Sequence, residues 1–223
     1  MPEVERSESI ENFLKAVYQL QQREERVRTS SIAEALSITA PSAYDFINRC
    51  QEAGLIDYVS HRGVRLTASG EKIALEVLRH HRLLELYLVE ALGYTWDEVH
   101  EEAERLEHHI SEKLEERIAT YLGHPTVDPH GDPIPTLDGT VPERGLHQLA
   151  DLEIGTLAEV SRLLDQTAAN LRHLEQKGLV PGARILITAR DEFDHLTHLE
   201  INGIAQIVGE NTAKYVLVKV LNK

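Results

Sequence analysis

The stretch VRTSSIAEALSITAPSAYDFINRCQEAGLIDYVSHRGVRLTASG, residues 27–70, decides the fold of the N-terminal third of this chain. Its first part predicts a short helix capped by Thr29 or Ser30, which the sequence Ser-Ile-Thr then breaks. A second helix opens near Thr39, tolerates Pro41 in its first turn and ends at the next glycine. Two short helices across a tight turn predict a helix-turn-helix.

The segments on either side complete this unit. Residues 8–25, ESIENFLKAVYQLQQREE, carry apolar side chains at helical spacing and predict a one-faced helix. Residues 55–70 contain two β runs around His61-Arg62-Gly63, which predicts a hairpin with an arginine near its tip. The whole stretch therefore predicts a winged helix-turn-helix, with a small structural α+β domain as the alternative.

Polar side chains of the helix-turn-helix predict a DNA-reading face. Side chains of the second helix could reach base edges, and those before the first helix and on the wing could meet phosphates. Asp45 is unfavourable beside phosphate, although its carboxylate could accept from a cytosine amine. The candidate DNA-binding residues are Arg28, Thr29, Ser30, Thr39, Pro41, Ser42, Tyr44, Arg49 and Arg62, with Asp45 and Asn48 on the same face.

The formal net charge of −14 argues at face value against a nucleic-acid partner, because DNA binding needs basic side chains. However, residues 80–123 carry 4 basic and 11 acidic side chains, a balance of −7. Half of the excess negative charge therefore belongs to one segment outside the predicted DNA-binding unit.

Length and composition limit the number of domains, the location of the protein and the kinds of metal site it could hold. A chain of 223 residues predicts two or three compact units. Without a long apolar run or a signal peptide, we expect a cytoplasmic protein. The single cysteine, Cys50, cannot form an internal disulfide or share a zinc site with a second thiol. Any metal site must then use oxygen and nitrogen donors.

Two long helices are predicted in the middle of the chain, from Glu71 to Leu92 and from Trp96 to Tyr121. Residues 123–139, GHPTVDPHGDPIPTLDG, are rich in proline and glycine and predict a linker. Beyond it, a helix from Leu157 to Gln176 and four short β runs predict a small β-barrel.

Histidines and carboxylates of the two middle helices predict a metal site. A helical wheel places four residues at the border of the apolar stripe: His100, Glu104, Glu107 and His108. On the preceding helix His81 and Glu85 are one turn apart and share a face. Carboxylates beside an apolar face are costly to desolvate without a positive partner, and a divalent cation would offset their repulsion.

A solvated acidic face is the alternative interpretation of this pattern, and we assign His80 and His109 to such a face. A donor set of carboxylates and imidazoles without thiolate suits manganese or ferrous iron.

The order of these parts resembles one family. A winged helix is followed by HRLLE (81–85), VHEEAERLEH (99–108) and DPHGDPIP (128–135), and then by a β-barrel. This arrangement resembles the diphtheria toxin repressor family of metal-dependent transcriptional repressors.

The resemblance implies a mainly α fold with small β parts, divided into three domains. They are a winged helix-turn-helix domain at residues 1–73, a helical metal-binding and dimerisation domain at 74–140, and an SH3-like domain at 146–223. It also implies a homodimer that docks on a palindromic DNA operator.

Two ligand sets follow from the resemblance. One contains His81, Glu85 and His100, and the other contains Glu104, Glu107 and His108, with Asn12 as a candidate from the first helix. Iron regulators commonly have cysteine at Glu104 and methionine at Asn12, whereas manganese regulators have glutamate and aspartate. Glu104 therefore favours manganese, while Lys15 stands where manganese regulators place another ligand glutamate.

The resulting expectation is a manganese-responsive repressor that binds operator DNA and has no catalytic residues. An iron-responsive repressor of the same family is the first alternative. A protein-interaction adaptor whose winged helix does not read DNA is the second, and a metallohydrolase would need a substrate cleft and an open coordination position.

Overall fold

The computed structural model describes residues 7–142 and 145–221. Its chain divides into two compact units, and segments of each alternate along the sequence. The first unit consists of residues 1–81, 106–112 and 135–140; the second consists of residues 82–105, 113–134 and 141–223.

The first unit contains the predicted winged helix-turn-helix. Its elements are α1 (Glu8–Gln21), α2 (Thr29–Ala35), α3 (Ala40–Glu52), β1 (Ile56–Val59), β2 (Gly63–Leu66) and the start of α4 (Ala68–Leu92). The Thr39 hydroxyl caps α3 by accepting from the Ser42 backbone N–H, and Pro41 lies in the first turn, as predicted. The predicted cap of α2 is wrong, because Arg28 is the residue before the helix and Thr29 already belongs to it.

One apolar core holds these elements together. Phe13 of α1 stacks on Phe46 of α3 with ring centroids 5.7 Å apart, and Cys50 is wholly buried beside them. Val27 and Val64 exchange backbone hydrogen bonds of 2.8 and 2.9 Å, which fastens the hairpin to the segment before α2. The hairpin and the helix pair thus share one core.

The predicted helix from Trp96 to Tyr121 is wrong as a single element. The chain forms α5 (Val99–Leu106) and α6 (Glu112–Tyr121), with turns between them. One reason lies in the first unit, where the His80 imidazole is 3.0 Å from the Glu107 backbone carbonyl that would otherwise continue the helix. A buried polar contact therefore replaces a helical hydrogen bond.

The second unit ends in a six-stranded antiparallel sheet of order β3-β8-β4-β5-β6-β7. Its elements are β3 (His147–Gln148), a 3-10 turn (Leu149–Asp151), β4 (Leu157–Leu163), α7 (Ala168–Lys177), β5 (Arg184–Asp191), β6 (Leu196–Ile201), β7 (Ile204–Gly209), α8 (Glu210–Ala213) and β8 (Val216–Val220).

The predicted helix from Leu157 to Gln176 is therefore half wrong. Its first half is β4, which pairs with β5 and β8 and buries Ala158, Val160 and Leu163 in the core of the sheet. Its second half is α7, whose Leu171 and Leu174 enter the same core. Strand pairing with distant segments outweighs the local helical pattern.

Residues 123–134 are not the free linker that their composition predicts. The backbone of Asp128 and Asp132 is joined by a 3.0 Å hydrogen bond, and the Leu163 N–H donates to the His130 carbonyl at 3.0 Å. Gly131 has φ +87°, and a Cβ there would lie 1.9 Å from the Ser161 carbonyl oxygen. Glycine therefore lets this loop lie directly on β4. Among the described residues, no helix is both long and apolar enough to cross a bilayer.

Gly131→Ala should destabilise the second unit by at least about 2 kcal/mol, because a methyl group combines left-handed strain with a backbone clash. Gly155→Ala is the matched control, since Gly155 also has positive φ but has nothing within 4 Å of the added Cβ. Urea denaturation of both variants measures the difference. Equal losses of unfolding free energy would contradict the close packing of this loop on β4.

Candidate metal centre and nucleic-acid interface

Helix α3, the second helix of the helix-turn-helix and here called the reading helix, presents most of its predicted DNA-binding side chains to solvent. Pro41, Tyr44, Asp45 and Arg49 are exposed, whereas Asn48 is half-buried. Ser42 is also half-buried, and its hydroxyl lies 2.8 Å from that of Thr39. The helix thus offers a polar face with one aromatic and one cationic side chain.

Three of the four phosphate-binding candidates line a cleft of about 530 Å³ within the first unit, whereas Ser30 is exposed on α2 and does not line it. Arg28 and Thr29 line it from the start of α2, and Arg62 lines it from the hairpin tip. Arg26 and His61 also line it, although sequence reasoning missed both. Arg26 is held in place by an ion pair with Asp57 and by the Gly63 carbonyl at 3.3 Å. Three arginines around one cleft suit a phosphate backbone.

In the first unit, the segment between α5 and α6 meets α1 through His108. The His108 Nδ1 lies 2.5 Å from the Glu11 carboxylate, and its Nε2 lies 3.0 Å from the Asn12 side-chain oxygen and 3.3 Å from Glu107. We call Asn12, Glu107 and His108 the helix-1 set. Glu11 was missed by sequence reasoning, although its position beside the apolar stripe of α1 was a usable signal.

Glu107 is the most enclosed member of the helix-1 set. Its carboxylate has no exposed surface and lies 2.5 Å from both Lys15 Nζ and His81 Nδ1. The neighbouring His80 is buried as well, so its assignment to a solvated face was wrong. His109 is exposed, as expected. The wheel's assumption of a continuous helix through Glu107 and His108 fails, because both lie beyond the end of α5.

The remaining predicted ligands lie on α4 and α5. His81 and Glu85 are one turn apart on α4, and His100 and Glu104 are one turn apart on α5, so each pair shares a helix face. In the second unit, the His100 Nδ1 lies 3.1 Å from the buried Glu85 carboxylate. Glu104 is half-buried.

His130, in the loop on β4, completes a group that sequence reasoning missed. Glu85, Asp128 and His130 are all buried and offer ligand atoms within 4.8 Å of one another. With His100 they form what we call the His130 set. The signal was present in the sequence, since DPHGDP puts two carboxylates and an imidazole into a short loop, but that loop was interpreted as a linker.

The orientation of the His130 ring is fixed by the Trp96 carbonyl, which accepts from His130 Nε2 at 2.7 Å. This bond leaves Nδ1 as the nitrogen with a lone pair, and Nδ1 has no hydrogen-bond partner among the described residues. It faces the Glu85 carboxylate at 3.8 Å, and the side chain has no exposed surface. Metal-binding histidines commonly donate their other ring N–H to a backbone carbonyl in this way.

The electrostatics of the His130 set favour a further positive charge beside its buried carboxylates. Burial, followed by the carboxylates of Asp132 and Glu85, raises the pKa of Asp128 to about 7 against the opposing effect of Arg82. Burial lowers the pKa of His130, but Glu85 and Asp128 outweigh it and the net shift is upward. Arg82 stands 3.7 Å from Asp128 and 3.4 Å from Asp132, and Arg162 also pairs with Asp132, so two guanidinium groups serve the two aspartates.

The donor chemistry fits a divalent cation. Both sets contain only oxygen and nitrogen atoms, and a lone pair that faces buried carboxylates is satisfied by a cation between them. A thiolate is excluded as a donor, because Cys50 is buried in the core of the first unit and burial raises its pKa to about 12.

Comparison with known proteins covers the whole described architecture. Residues 5–64 match the iron dependent repressor N-terminal DNA binding domain, and residues 67–136 match the iron dependent repressor metal binding and dimerisation domain. Residues 147–220 match the FeoA domain. The chain is 34% identical over 192 residues to the iron-dependent repressor IdeR of Mycobacterium tuberculosis, which covers 81% of this chain and 84% of that protein.

Solved structures agree. A manganese-dependent transcriptional repressor in complex with manganese is 38% identical and matches with a TM-score of 0.86, over 95% of this chain and all of the other. The IdeR of T. acidophilum is 28% identical, with a TM-score of 0.77 over 97% of this chain and all of the other. This chain belongs to the diphtheria toxin repressor family, and is a metal-dependent, DNA-binding transcriptional repressor with a dimerisation domain rather than an enzyme.

Proposed function

We propose that this repressor responds to manganese and holds the metal with oxygen and nitrogen donors alone. The observation that carries the proposal is the buried His130 Nδ1, which has no hydrogen-bond partner among the described residues and lies 3.8 Å from the Glu85 carboxylate of the same set. Such an arrangement is repulsive until a proton or a cation enters it. We assign Glu85, His100, Asp128 and His130 to one metal, and we carry His81 over as a candidate on the family resemblance alone.

A second metal position is proposed at the helix-1 set. Glu104 is carried over as a candidate donor on the family resemblance alone. Glu11 accepts from His108 Nδ1, so the ring turns Nε2 toward Asn12 and Glu107. A carboxylate behind a histidine ligand fixes its tautomer and the orientation of its ring. Asn12 is then proposed to contribute its side-chain oxygen, which lies 3.0 Å from His108 Nε2.

Manganese is preferred over iron because every proposed donor is a hard oxygen or an imidazole nitrogen. Glu104 stands where iron regulators of the family commonly have a cysteine. The structural relative with a TM-score of 0.86 is described as manganese-dependent, which supports the same choice. Since the mycobacterial relative is described as iron-dependent, iron remains the alternative that experiment must separate.

The mechanism follows from what the helix-1 set joins. α1 is part of the core that positions α3, whereas residues 107 and 108 belong to the region that matches the dimerisation domain. When bound, the divalent metal supplies the positive charge that lets these donors share one position. Asn12 then ties α1 to Glu107 and His108, and this link restricts how the reading helix is held. The DNA-competent form is favoured only by as much as the metal prefers it.

We further propose a homodimer on a palindromic operator, which acts in the cytoplasm where the DNA is found. The proposed domains are residues 1–73, 74–140 and 146–223. α3 reads the bases, and the arginine cleft of the first unit binds phosphates. A metallohydrolase and a non-reading adaptor are both disfavoured, because residues 5–64 match a DNA-binding domain and the relatives are repressors.

Manganese should tighten binding to an operator, selected from random DNA in its presence, by about 5- to 150-fold, the range of ordinary coupling free energies. Fluorescence anisotropy with and without manganese measures this ratio. Glu85→Gln should lose most of the response because it removes a charged ligand. Glu101→Gln, an exposed change on α5, is the control and should respond like the wild type. Equal operator affinity with and without manganese would refute the proposal.

His130→Gln should weaken the binding of manganese at least about tenfold, since the imidazole lone pair is a proposed ligand. The electron paramagnetic resonance signal of free manganese reports the bound fraction directly and requires no DNA. His173→Gln changes an exposed histidine of α7 and should bind like the wild type. If both variants bind manganese equally, His130 is a structural histidine and the assignment fails.

Glu104→Cys should shift the metal preference toward softer ions, because a thiolate replaces a hard carboxylate. The measurement is the rank order of manganese, ferrous iron and zinc as activators of operator binding. Glu116→Cys, which places a thiol on an exposed position of α6, controls for the thiol itself. An unchanged ranking in Glu104→Cys would count against Glu104 as a ligand.

A further inference from the structure

Lys15 places a positively charged side chain beside the helix-1 set, where we also propose a metal cation. It follows Asn12 by one turn of α1, so both side chains project from the same face of that helix. Its Nζ lies 2.5 Å from Glu107 Oε1, with side-chain exposures of 8% and 0% for the two partners. The pair is therefore a buried ion pair inside a group of proposed metal ligands.

The decisive detail is which oxygen Lys15 contacts. Glu107 Oε1 faces Lys15 Nζ at 2.5 Å and His108 Nε2 at 3.3 Å. The other oxygen, Oε2, is 2.5 Å from His81. A metal held by His108 Nε2 and Glu107 would therefore use the oxygen that the ammonium already contacts.

An ammonium and a divalent cation on one oxygen repel each other strongly in a site of low solvent access. Lysine is a compact point charge with no acceptor, so it cannot serve as a ligand while it is protonated. A buried carboxylate, in turn, must keep one positive partner at all times. The two cations should therefore exclude each other at Glu107.

We propose that Lys15 is an internal competitor of the regulatory metal. In the metal-free chain its ammonium neutralises Glu107 and joins α1 to the segment 106–112. Metal enters the helix-1 set only by displacing this ammonium. The inference rests on the proposed function, since the competing ion is the proposed regulatory metal, and it adds the regulation of that site.

The consequence is a raised metal threshold. Without Lys15, the metal would meet a Glu107 carboxylate whose Oε1 has no ammonium beside it. With Lys15 present, metal binding replaces the Lys15–Glu107 link between α1 and the segment 106–112 by a link through the metal. Part of the metal's binding free energy is then spent on breaking an existing ion pair, so the helix-1 set fills at a higher metal concentration than the His130 set.

The test compares Lys15→Met and Lys15→Arg with the wild-type full-length chain in manganese titrations followed by the free-ion paramagnetic signal. Lys15→Met keeps the length of the side chain and removes its charge, so the weaker manganese equivalent should bind about 5- to 150-fold more tightly. Lys15→Arg keeps the positive charge and makes a stronger pair with the carboxylate, so the same manganese equivalent should bind more weakly than in the wild type.

Lys113→Met is the matched control, because Lys113 is exposed near the start of α6 and its loss changes only the general charge. It should bind manganese like the wild type. Adding His108→Gln to Lys15→Met should abolish the tightened equivalent, which assigns it to the helix-1 set. Should Lys15→Met be too unstable to study, the weakening in Lys15→Arg carries the test alone.

Each outcome decides the matter. Competition is supported if Lys15→Met binds manganese more tightly than the wild type and Lys15→Arg binds it more weakly. Unchanged affinity in both Lys15 variants, or an equal gain in Lys113→Met, overturns it while the proposed function stands. Folded wild-type and Lys15→Met chains that bind no manganese would overturn the proposed function as well.

Discussion

The buried carboxylate of Glu107 is the constraint on which the first unit depends. An ionised carboxylate without exposed surface requires positive partners, and here Lys15 and His81 both lie 2.5 Å away. These contacts bring α1, α4 and the segment 106–112 together. They also account for the interruption between α5 and α6, because the Glu107 carbonyl faces His80 rather than the next turn of a helix. The same charge that makes Glu107 a candidate metal ligand thus shapes the chain around it.

The second unit also contains buried carboxylates, and a loop surrounds one of them. Glu85 and Asp128 are buried near Asp132, and Arg82 is shared between the two aspartates. Asp128 also accepts the N–H groups of His130 and Asp132 at 2.8 and 2.9 Å, which shapes the loop around its carboxylate. Gly131 then lets the loop lie on β4. The sheet therefore supports the loop that carries His130 and Asp128, two donors of the metal centre that we propose, even though its own strands supply none of the proposed donors.

Sequence reasoning succeeded where local signals were sufficient and failed where distant groups compete for the backbone. The cap at Thr39, the helix that it starts and the hairpin around Arg62 follow from residue types and spacing, and the structure has them. The helix expected from Leu157 failed because β4 finds strand partners at residues 184–186 and 216–220, which local periodicity does not report. The prediction of a linker at residues 128–134 failed for a similar reason, since the composition of this loop does not show that it packs on Ser161 and Leu163.

The sequence by itself determined the domain class, and it predicted the oxygen and nitrogen character and most of the candidate ligands of the metal centre that we propose, because these depend on residue type and on spacing within one helix. Only the tertiary structure decided which donors meet. Asp128 and His130 join Glu85, Glu11 orients His108, and Lys15 contacts the oxygen of Glu107 that a metal would need. The physical reason is that desolvation, and not sequence proximity, selects the partner of a buried charge, and burial is a property of the packed chain.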